Sequence, residues 1–337
     1  MNNQPLVSIV TPAYNEEKNI AECLDSILAQ TYQHWECIVA NNCSVDATGD
    51  IARRYSAKDC RIKVFDNESL LPANRNFNQA LQRISPEAAY CKVVFADDWI
   101  FPECIEKMVA LAEANPSVGI VGAYALQDRD VAWTGLPYPS TCISGREICR
   151  NRFLDRQSVF GTATTVLYRA DLVHGNAAFF NESNIHADSE KCCELLRNCD
   201  FGFINQVLTF TRVREGSMFA FSSNMGTFVA GNLRELTAYG RDFLTPEEFD
   251  ACLERLLRHY YDFLARSVIH RRGSEFWDYH KRRLAEAGVG FERVRLFKAV
   301  AREALGAVAN PGSTIARLVG SRPARDSAGR NPATEQA

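Results

Sequence analysis

The sequence predicts an α/β fold in which a mostly parallel central sheet is flanked by helices and followed by a helical C-terminal extension. Through the first third of the chain, apolar and β-branched segments alternate with amphipathic segments of helical periodicity. Such near-continuous apolar strands are typical of a parallel sheet that helices cover on both faces. A second observation, a long helical stripe that begins near residue 245, predicts the extension.

Five strands and the helices between them are predicted in order. The strands are the apolar runs at 6–11, 36–40, 62–65, 91–96 and 118–122. The intervening helices carry apolar residues at helical spacing: Ile20, Leu24, Ile27 and Leu28; Ile51 and Tyr55; Phe77, Leu81 and Ile84; Ile105, Met108, Val109 and Ala112. Pro102 suits the first turn of the last of these helices. Between 124 and 220 the pattern changes to loops and short elements.

The C-terminal extension is predicted to begin with a capping box. Thr245 and Glu248 have the spacing of that motif, and Pro246 fits the first helical position. The helix that follows carries an apolar stripe made of Phe249, Leu253, Leu256, Tyr260 and Leu264. Residues 311–337 are poor in large apolar side chains, so we predict a disordered tail there.

Composition excludes several classes of protein. The chain has 337 residues and a net charge of −3, whereas nucleic-acid-binding domains are usually strongly basic, so we expect no nucleic-acid partner. Twelve cysteines include no C-x-x-C pair, which favours reduced structural thiols over a zinc site. Because no apolar run of ~18 residues and no signal-like N-terminus occurs, we expect a cytoplasmic protein.

Polar clusters follow three of the predicted strands, at Thr11–Asn15, Asn41–Ser44 and Asp97–Asp98. Ligands of parallel α/β sheets bind at the carboxyl ends of the strands, so these clusters predict a binding site. In "KVVFADDWIFP" two adjacent carboxylates follow an apolar run directly. They are either a solvated turn at the start of a helix or a socket for a cation.

Several stretches together resemble family 2 glycosyltransferases, which are inverting enzymes of the GT-A fold. The opening "VSIVTPAYNEEKNIAECLDSILAQTYQHWECIVANNCSVDATGDIA" carries the first part of the resemblance. The stretches "NRNFNQAL", "VVFADDWIFPECIEKMV", "FNESNIHADSEKCCELL" and "LTFTRVREGSMF" continue it in order. The resemblance covers residues 5–220, and its weight comes from five motifs in order, because each alone is weak.

The resemblance implies a division of the chain into domains. A GT-A glycosyltransferase domain is expected over 1–225, with a nucleotide-binding half at 1–122 and an acceptor half at 123–225. The helical extension is expected over 226–310.

A nucleotide-diphosphate sugar, with UDP as the first expectation, is the donor that the resemblance implies, together with Mn²⁺ or Mg²⁺. A hard cation stabilises the charge that develops on a diphosphate leaving group, and the phosphates supply most of its ligands. By the family's D-x-D pattern, Asp98 ligates the metal and Asp97 faces the ribose or assists.

The loop after the first strand is implied to wrap the nucleotide. Pro12, Ala13 and Tyr14 lie against the base in the resemblance, and Glu16 lies close to it. An ordinary proline turn with a helix cap is the alternative. Arg75 matches an arginine that helps hold the nucleotide, with a solvated helix charge as its alternative.

Asn42 departs from the family pattern, which usually has aspartates where this chain has Asn41 and Asn42. An amide could accept from N3–H of uracil and donate to O4, so the substitution is compatible with UDP but leaves the base identity open. Two turn asparagines are the alternative. Arg212 and Arg214 fall in the family's basic loop near the diphosphate, where Arg214 replaces a histidine; they clamp phosphate or are solvated.

An inverting transfer needs a general base that takes the proton from the acceptor hydroxyl. Asp188 has the base position of the family's E-D motif, although Ala187 replaces the first acid. A helix cap is the competing interpretation of Asp188. Glu190, two residues on, is the expected control, and it is the alternative base, because the loss of the usual acid at Ala187 makes the local match less certain. The processive Q-x-x-R-W motif is missing from the sequence, so transfer of a single sugar is expected.

Three other classes of protein compete with the transferase interpretation. A Rossmann dehydrogenase is rejected, because "TPAYNEE" stands where G-x-G-x-x-G would follow the first strand. A sugar nucleotidyltransferase would show a glycine-rich basic loop at the same place. A non-catalytic nucleotide-sugar-binding relic of the same fold is the serious alternative, supported by Asn41, Asn42 and Ala187 and opposed by Asp98 and Asp188.

The acceptor expected from the resemblance is a glycan or lipid-linked sugar of a bacterial surface polymer. The sequence leaves the sugar, the linkage and the oligomeric state open. The segment 291–330 holds eight basic and three acidic residues, and Val294, Phe297, Leu305 and Val308 can share one helix face. This segment is either a peripheral membrane contact or a solvated helix with a loose tail.

Overall fold

The computed structural model describes residues 4–133, 135–155, 159–214 and 218–309. These residues form two compact units, one extending to Val213 and the other beginning at Arg214. The tail predicted to be disordered, 311–337, lies outside the described residues.

The first unit contains ten strands and six α-helices in an α/β arrangement of its described residues. The strands are β1 (Leu6–Ala13), β2 (Trp35–Asn41), β3 (Ile62–Asp66), β4 (Ala88–Val93), β5 (Trp99–Ile100), β6 (Val118–Gln127), β7 (Asp130–Ala132), β8 (Cys142–Ile143), β9 (Leu167–Arg169) and β10 (Asp200–Thr211). The helices are α1 (Ile20–Leu28), α2 (Thr48–Ser56), α3 (Ala73–Leu81), α4 (Cys104–Ala114), α5 (Gly145–Asp155) and α6 (Ala187–Leu195).

All ten strands belong to one mixed sheet. Its order is β3-β2-β1-β4-β9-β6-β10-β5, with β7 on β6 and β8 on β10. The pairs β3–β2, β2–β1, β1–β4 and β6–β10 are parallel, whereas β9 runs antiparallel to both β4 and β6. The predicted parallel strands are therefore present, and a short antiparallel strand that the sequence did not predict joins the two parallel groups.

The core confirms the apolar pattern of the strands. Val7 and Ile9 of β1 pack in one apolar cluster with Ile20 and Leu24 of α1, while Val10 is buried on the other face. A strand that is buried on both faces must be apolar at almost every position, which is why its sequence shows no alternation. None of the twelve cysteines, all in described parts of the chain, forms a disulfide, and nine of them are buried.

Two predicted boundaries move in the structure. The fourth strand ends at Val93 instead of residue 96, and a turn closed by the Asp98 N–H donating to the Phe95 carbonyl at 2.9 Å follows it. Helix α4 begins at Cys104, two residues after Pro102, so this proline lies ahead of the first helical turn. Asp97 and Asp98 consequently lie in a tight turn between two sheet strands.

The second unit is helical. Its described helices are α7 (Met218–Met225), α8 (Thr227–Phe243), α9 (Pro246–Ile269), α10 (Ser274–Glu286) and α11 (Arg293–Ala309). Helix α9 begins as predicted: the Glu248 N–H donates to Thr245 Oγ1 at 3.2 Å and the Thr245 N–H donates to Glu248 Oε2 at 3.1 Å. Pro246 fills the first helical position, where no intrahelical N–H is needed.

A buried histidine links three helices of the second unit. His280 of α10 donates from Nε2 to the Met225 carbonyl at 2.9 Å, because a carbonyl can only accept. Its Nδ1 then accepts the Tyr260 hydroxyl proton at 2.8 Å. Burial, followed by the positive charge of Arg272, lowers the pKa of His280 from 6.5 to about 4. The neutral imidazole is thus the form that the packing requires.

We expect the second unit to lose stability as the pH falls from 6.5 to about 4, because the unfolded imidazole takes up a proton that the buried one refuses. One such proton lowers the free energy of unfolding by up to about 1.4 kcal/mol per pH unit in that window. Urea unfolding of the full chain near neutral pH and near pH 5 measures the slope. The His280→Gln variant, which does not titrate, is the control, and an equal pH dependence in both proteins would contradict the assignment.

Candidate active site

The loops after β1 and β2 are held together at the carboxyl edge of the sheet. Asn15 adopts a left-handed backbone conformation (φ 54°), which asparagine tolerates better than most residues. Its N–H donates to Ser44 Oγ at 3.0 Å, and its Oδ1 accepts from the Val45 N–H at 2.9 Å. The Glu16 N–H donates to Thr48 Oγ1 at 2.7 Å. These bonds fix the loop that carries the first group of predicted nucleotide contacts.

The predicted contacts of this loop differ in exposure. Pro12 and Ala13 end β1 and are buried. Glu16 is buried as well, and its Oε2 accepts from Asn19 Nδ2 at 2.8 Å. Tyr14 is 45% exposed, so an aromatic face is presented to solvent at this edge. A planar base could stack on such a face. Contact of these four residues with a base stays a prediction.

Asn42 has a role that the sequence did not predict. Its Oδ1 accepts from the Leu71 N–H and from Asn67 Nδ2, both at 2.9 Å, and its Nδ2 donates to the Leu71 carbonyl at 2.9 Å. A carbonyl oxygen has two lone pairs, and both are used here. Pairing with uracil N3–H would require one of these bonds to break. In this structure Asn42 holds the 67–71 loop, and its pairing with a base stays a prediction.

The two adjacent aspartates occupy different environments. Asp98 is only 2% exposed: its Oδ2 accepts from Thr164 Oγ1 at 2.7 Å and its Oδ1 from the Arg212 N–H at 3.0 Å. Asp97 is half-buried, and its backbone carbonyl accepts from Arg212 Nε at 3.1 Å. The Asp97 carboxylate is therefore the more accessible of the pair, and Asp98 connects the turn to two other segments.

Burial and the neighbouring Asp97 carboxylate raise the pKa of Asp98 above its ordinary value, and the bonds from Thr164 and Arg212 only partly offset this. Lys92, the second residue of the run "CKVVFA", is fully buried. Its Nζ donates to the Thr164 carbonyl and, at 3.1 Å, to the Val166 carbonyl. Burial lowers the pKa of Lys92, while the Asp98 charge opposes that shift. The site thus concentrates titratable groups that burial perturbs.

The three arginines that were predicted to contact phosphate differ in their surroundings. Arg212, at the end of β10, contacts the aspartate turn through its backbone N–H and its Nε, and its guanidinium pairs with Glu22 of α1. Arg75 is an exposed residue of α3. Arg214 begins the second unit and is exposed. The structure therefore brings Arg212 to the acidic turn, and phosphate contacts of Arg75 and Arg214 stay predictions.

Buried asparagines of α3 hold the loop that precedes α6. Asn74 Nδ2 donates to the carbonyls of Asn181, at 2.9 Å, and Asn184, at 2.6 Å. Asn78 exchanges two bonds with the backbone of Phe180, at 2.8 and 2.7 Å. Residues 74 and 78 lie one turn apart on the same helix face, so both amides reach the same loop. Helix α3 therefore positions the segment that leads to Asp188.

The acids of α6 separate into a structural one and an accessible one. Glu190 is buried and accepts from Asn184 Nδ2 at 2.7 Å and from Asn181 Nδ2 at 3.1 Å, so it closes the same loop from the other side. Glu190 therefore has a structural part that the sequence did not predict. Asp188 lies in the first turn of α6, half-buried, and its Oδ1 accepts from the Ser189 N–H at 2.8 Å. An acid in a first helical turn is stabilised as the carboxylate.

Sequence inspection missed Thr164, Lys92, Asn74, Asn78 and Glu190. The lysine within the apolar run "CKVVFA" could have indicated a polar contact in the core, since a buried lysine needs hydrogen-bond acceptors around it. Alternate asparagines in "ANRNFNQAL" were another, because asparagine is unfavourable in a helix interior unless its amide is used. Thr164 gave no comparable signal, because its partners lie 66 and 69 residues away in the chain.

A divalent cation at the acidic turn would need most of its ligands from outside the protein. Within the described ranges, no three His, Cys, Asp or Glu side chains come together to enclose a metal by themselves. A cation that takes most of its ligands from donor phosphates and water needs only one or two carboxylates. Asp97 beside Asp98 provides that pair of carboxylates at the end of the turn after β4. The residues therefore fit Mn²⁺ or Mg²⁺.

Paired loops, an acidic turn and a mixed sheet of this order define the GT-A class of nucleotide-sugar transferase folds. Solved structures agree with this fold at low sequence identity. S. aureus TarS 1–349 in complex with UDP-GlcNAc has a TM-score of 0.63 at 19% identity, over 88% of this chain and 87% of that one. The mannosyltransferase PcManGT from Pyrobaculum calidifontis, in complex with GDP-Man and Mn²⁺, has a TM-score of 0.58 at 16% identity, over 95% and 84%.

The sequence model of the family named Glycosyl transferase family 2 matches residues 8–175, and through this region the chain belongs to that family. EpsE of Bacillus subtilis (strain 168), a protein whose name places it among the glycosyltransferases, is 31% identical over 169 residues. That match covers 48% of this chain and 60% of EpsE, so the chain spans only part of its relative. None of the helices in the described parts of the chain is long and apolar enough to cross a membrane.

Replacing Thr164 with valine should destabilise the first unit, because the Asp98 carboxylate and the Phe95 N–H both lose their bond to its hydroxyl. A buried polar group left without its partner costs about 1–3 kcal/mol, more when it is charged. Thr164→Ser, which keeps the hydroxyl, should cost much less. Urea unfolding of the three proteins measures this order, and equal stability of the valine and serine variants would show that the hydroxyl is not used.

Proposed function

We propose that the chain is an inverting glycosyltransferase that moves one sugar from a nucleotide-diphosphate sugar to an acceptor hydroxyl. The observation that carries the proposal is the acidic turn at Asp97 and Asp98. This turn follows β4, the neighbour of β1, at the same carboxyl edge of the sheet as the loops after β1 and β2. UDP is the first base to test, because TarS was solved with UDP-GlcNAc. The GDP-Man complex of PcManGT makes GDP the next.

A divalent cation, when bound, would stabilise the negative charge on the diphosphate that leaves. The sequence assigned metal ligation to Asp98, and this assignment stays a prediction, since each oxygen of this buried carboxylate accepts one protein hydrogen bond and keeps a lone pair for a cation. Asp97, the more exposed of the two carboxylates, is proposed as a further ligand, and Asp98 also holds the turn and the start of the Arg212 segment. PcManGT was solved with Mn²⁺, which supports this choice of cation.

Asp188 is proposed as the general base. It would accept the proton of the acceptor hydroxyl while that oxygen forms a bond to the anomeric carbon and the bond from this carbon to the phosphate oxygen breaks. The electron pair of the broken bond leaves with the nucleoside diphosphate. Asp188 lies in the first turn of α6, where the helix dipole favours a negative charge. Two asparagines of α3 and Glu190 fix the loop before it.

The acceptor proposed is a sugar hydroxyl of a bacterial surface glycan or of a lipid-linked precursor, as the family resemblance suggests. The non-catalytic alternative would bind the same donor without turnover. Incubating the protein with UDP-GlcNAc and Mn²⁺ and following release of UDP separates them, since even without an acceptor a transferase would use water slowly. Binding without any release, with acceptor sugars present, would favour the relic.

Metal-dependent donor binding should be lost when Asp97 is replaced with asparagine. Removing the accessible carboxylate should weaken UDP-GlcNAc binding in Mn²⁺ by at least about tenfold and leave the affinity in EDTA unchanged. Calorimetric titration with and without EDTA measures both values. Asp25→Asn, a change of the same kind on α1 where Asp25 Oδ1 accepts from the Tyr55 hydroxyl, is the control. If native protein binds the donor equally in Mn²⁺ and EDTA, the cation is not part of the site.

Replacing Asp188 with asparagine should lower kcat by about 10²–10⁴-fold with little change in donor affinity, because the base acts on the acceptor. Glu190 is unsuitable as a control, since its carboxylate holds the loop before α6. Glu194→Gln on the same helix is the better one: it also changes an acid to an amide, and this acid pairs only with Lys191 at 2.8 Å among the contacts of the described chain. Steady-state kinetics test the pair, and full activity of Asp188→Asn would remove this residue from the chemistry.

A further inference from the structure

Helix α11 presents an apolar face to solvent. Val294, Phe297 and Leu305 are 65%, 74% and 70% exposed, and Ala301 and Ala304 are exposed between them. These positions follow the spacing i, i+3, i+7, i+10 and i+11, so they lie on one side of the helix. We name this set the outer face of α11. Val308, which the sequence places on the same side, lies where side chains are not described.

Packing of the helix does not use the outer face. Its opposite side provides Ala299, which is buried, and Leu296 and Val300, which pack in the apolar cluster of the second unit. Two ion pairs attach α11 to α9: Arg295 to Glu254 at 2.9 Å and Arg302 to Asp262 at 2.7 Å. The helix is therefore apolar on two sides, and only one of them is explained by the fold.

Cations border the outer face. Arg293 precedes it on one side, and Lys298 follows on the other, both exposed; Arg302, also exposed, lies beyond Lys298 and is paired with Asp262. The acids of the helix region are placed elsewhere: Glu292 pairs with Arg295, and Glu303 lies half-buried towards the packed side. The chain from 310 to 330 adds four arginines and a single aspartate. An apolar helix face bordered by cations is complementary to a surface that has an apolar interior and negative charges at its boundary with water.

We propose that the outer face of α11 binds the surface of an anionic lipid bilayer, with the helix lying in the interface plane. Phe297, Val294 and Leu305 enter the acyl boundary, and the bordering cations contact the phosphate groups. A second copy of the chain fits less well, because a symmetric pairing of these faces brings like charges together. The proposal goes beyond the transfer reaction and concerns where the protein is held.

Co-sedimentation of the full chain with lipid vesicles tests the proposal. At low salt we expect binding to vesicles of phosphatidylcholine with about one third phosphatidylglycerol. Binding to pure phosphatidylcholine should be weaker, since each basic residue near an anionic surface raises the partition coefficient about fivefold. The double variant Phe297→Ser with Leu305→Ser should lower the partition coefficient by at least about tenfold, because it removes most of the apolar area. Phe221→Ser, at an aromatic residue of α7 that is 50% exposed, is the matched control and should bind as the native chain does.

Three results would overturn the proposal. The first is that native protein does not sediment with anionic vesicles at low salt. The second is that the native chain, the double variant and Phe221→Ser all sediment to the same extent, which would assign binding to another part of the molecule. The third is that analytical ultracentrifugation finds a native dimer that the double variant abolishes, which would make the outer face a contact between copies. Thermal unfolding of each variant shows whether it is folded, and because donor binding is measured separately, failure here is distinguishable from failure of the transferase assignment.

Discussion

The buried carboxylate of Asp98 is the interaction on which the proposed site depends. It joins three segments that are far apart in the chain: its own turn after β4, the Thr164 hydroxyl before β9, and the Arg212 N–H at the end of β10. Burying an anion is costly unless it is hydrogen-bonded, so this geometry persists only while both donors are in place. Lys92 secures one of them, because its ammonium group holds the carbonyls on both sides of Thr165. The accessible Asp97 is therefore positioned by groups that never face the solvent.

Neutral amides carry out the same task on the other side of the site. Asn42 holds the 67–71 loop, and Asn74 and Asn78 hold the loop before α6. An asparagine side chain offers both a donor and an acceptor, so it can satisfy backbone groups without adding a charge. Charged residues in these places would compete with the diphosphate and the cation that the site is proposed to bind. The proposed chemistry then uses few charges, on residues Asp97, Asp188 and Arg212, within a frame of neutral bonds.

Local pattern was enough for the parallel strands, the amphipathic helices and the capping box at Thr245, because each of these is determined by neighbours within a few residues. It was insufficient for β9, a strand of three residues whose place between β4 and β6 is set by long-range pairing. Residue roles show the same division. The sequence found the acidic turn, yet could not tell which aspartate is buried, because that depends on Thr164 and Arg212. The loop contacts of Asn42 and Glu190 could not be predicted for the same reason: local pattern does not show which distant loop lies beside each side chain.

Charge balance connects these observations with the proposed cation. In the folded chain without a cation, the raised pKa of Asp98 means that ionisation works against the fold as the pH rises above the ordinary range of a carboxyl group. Two events relieve that strain: a proton on Asp98, or a cation beside Asp97. They compete, since a proton removes the negative charge that attracts the cation. A divalent ion should then bind more tightly as the pH rises, and its binding should stabilise the domain most where Asp98 would otherwise be ionised without a partner.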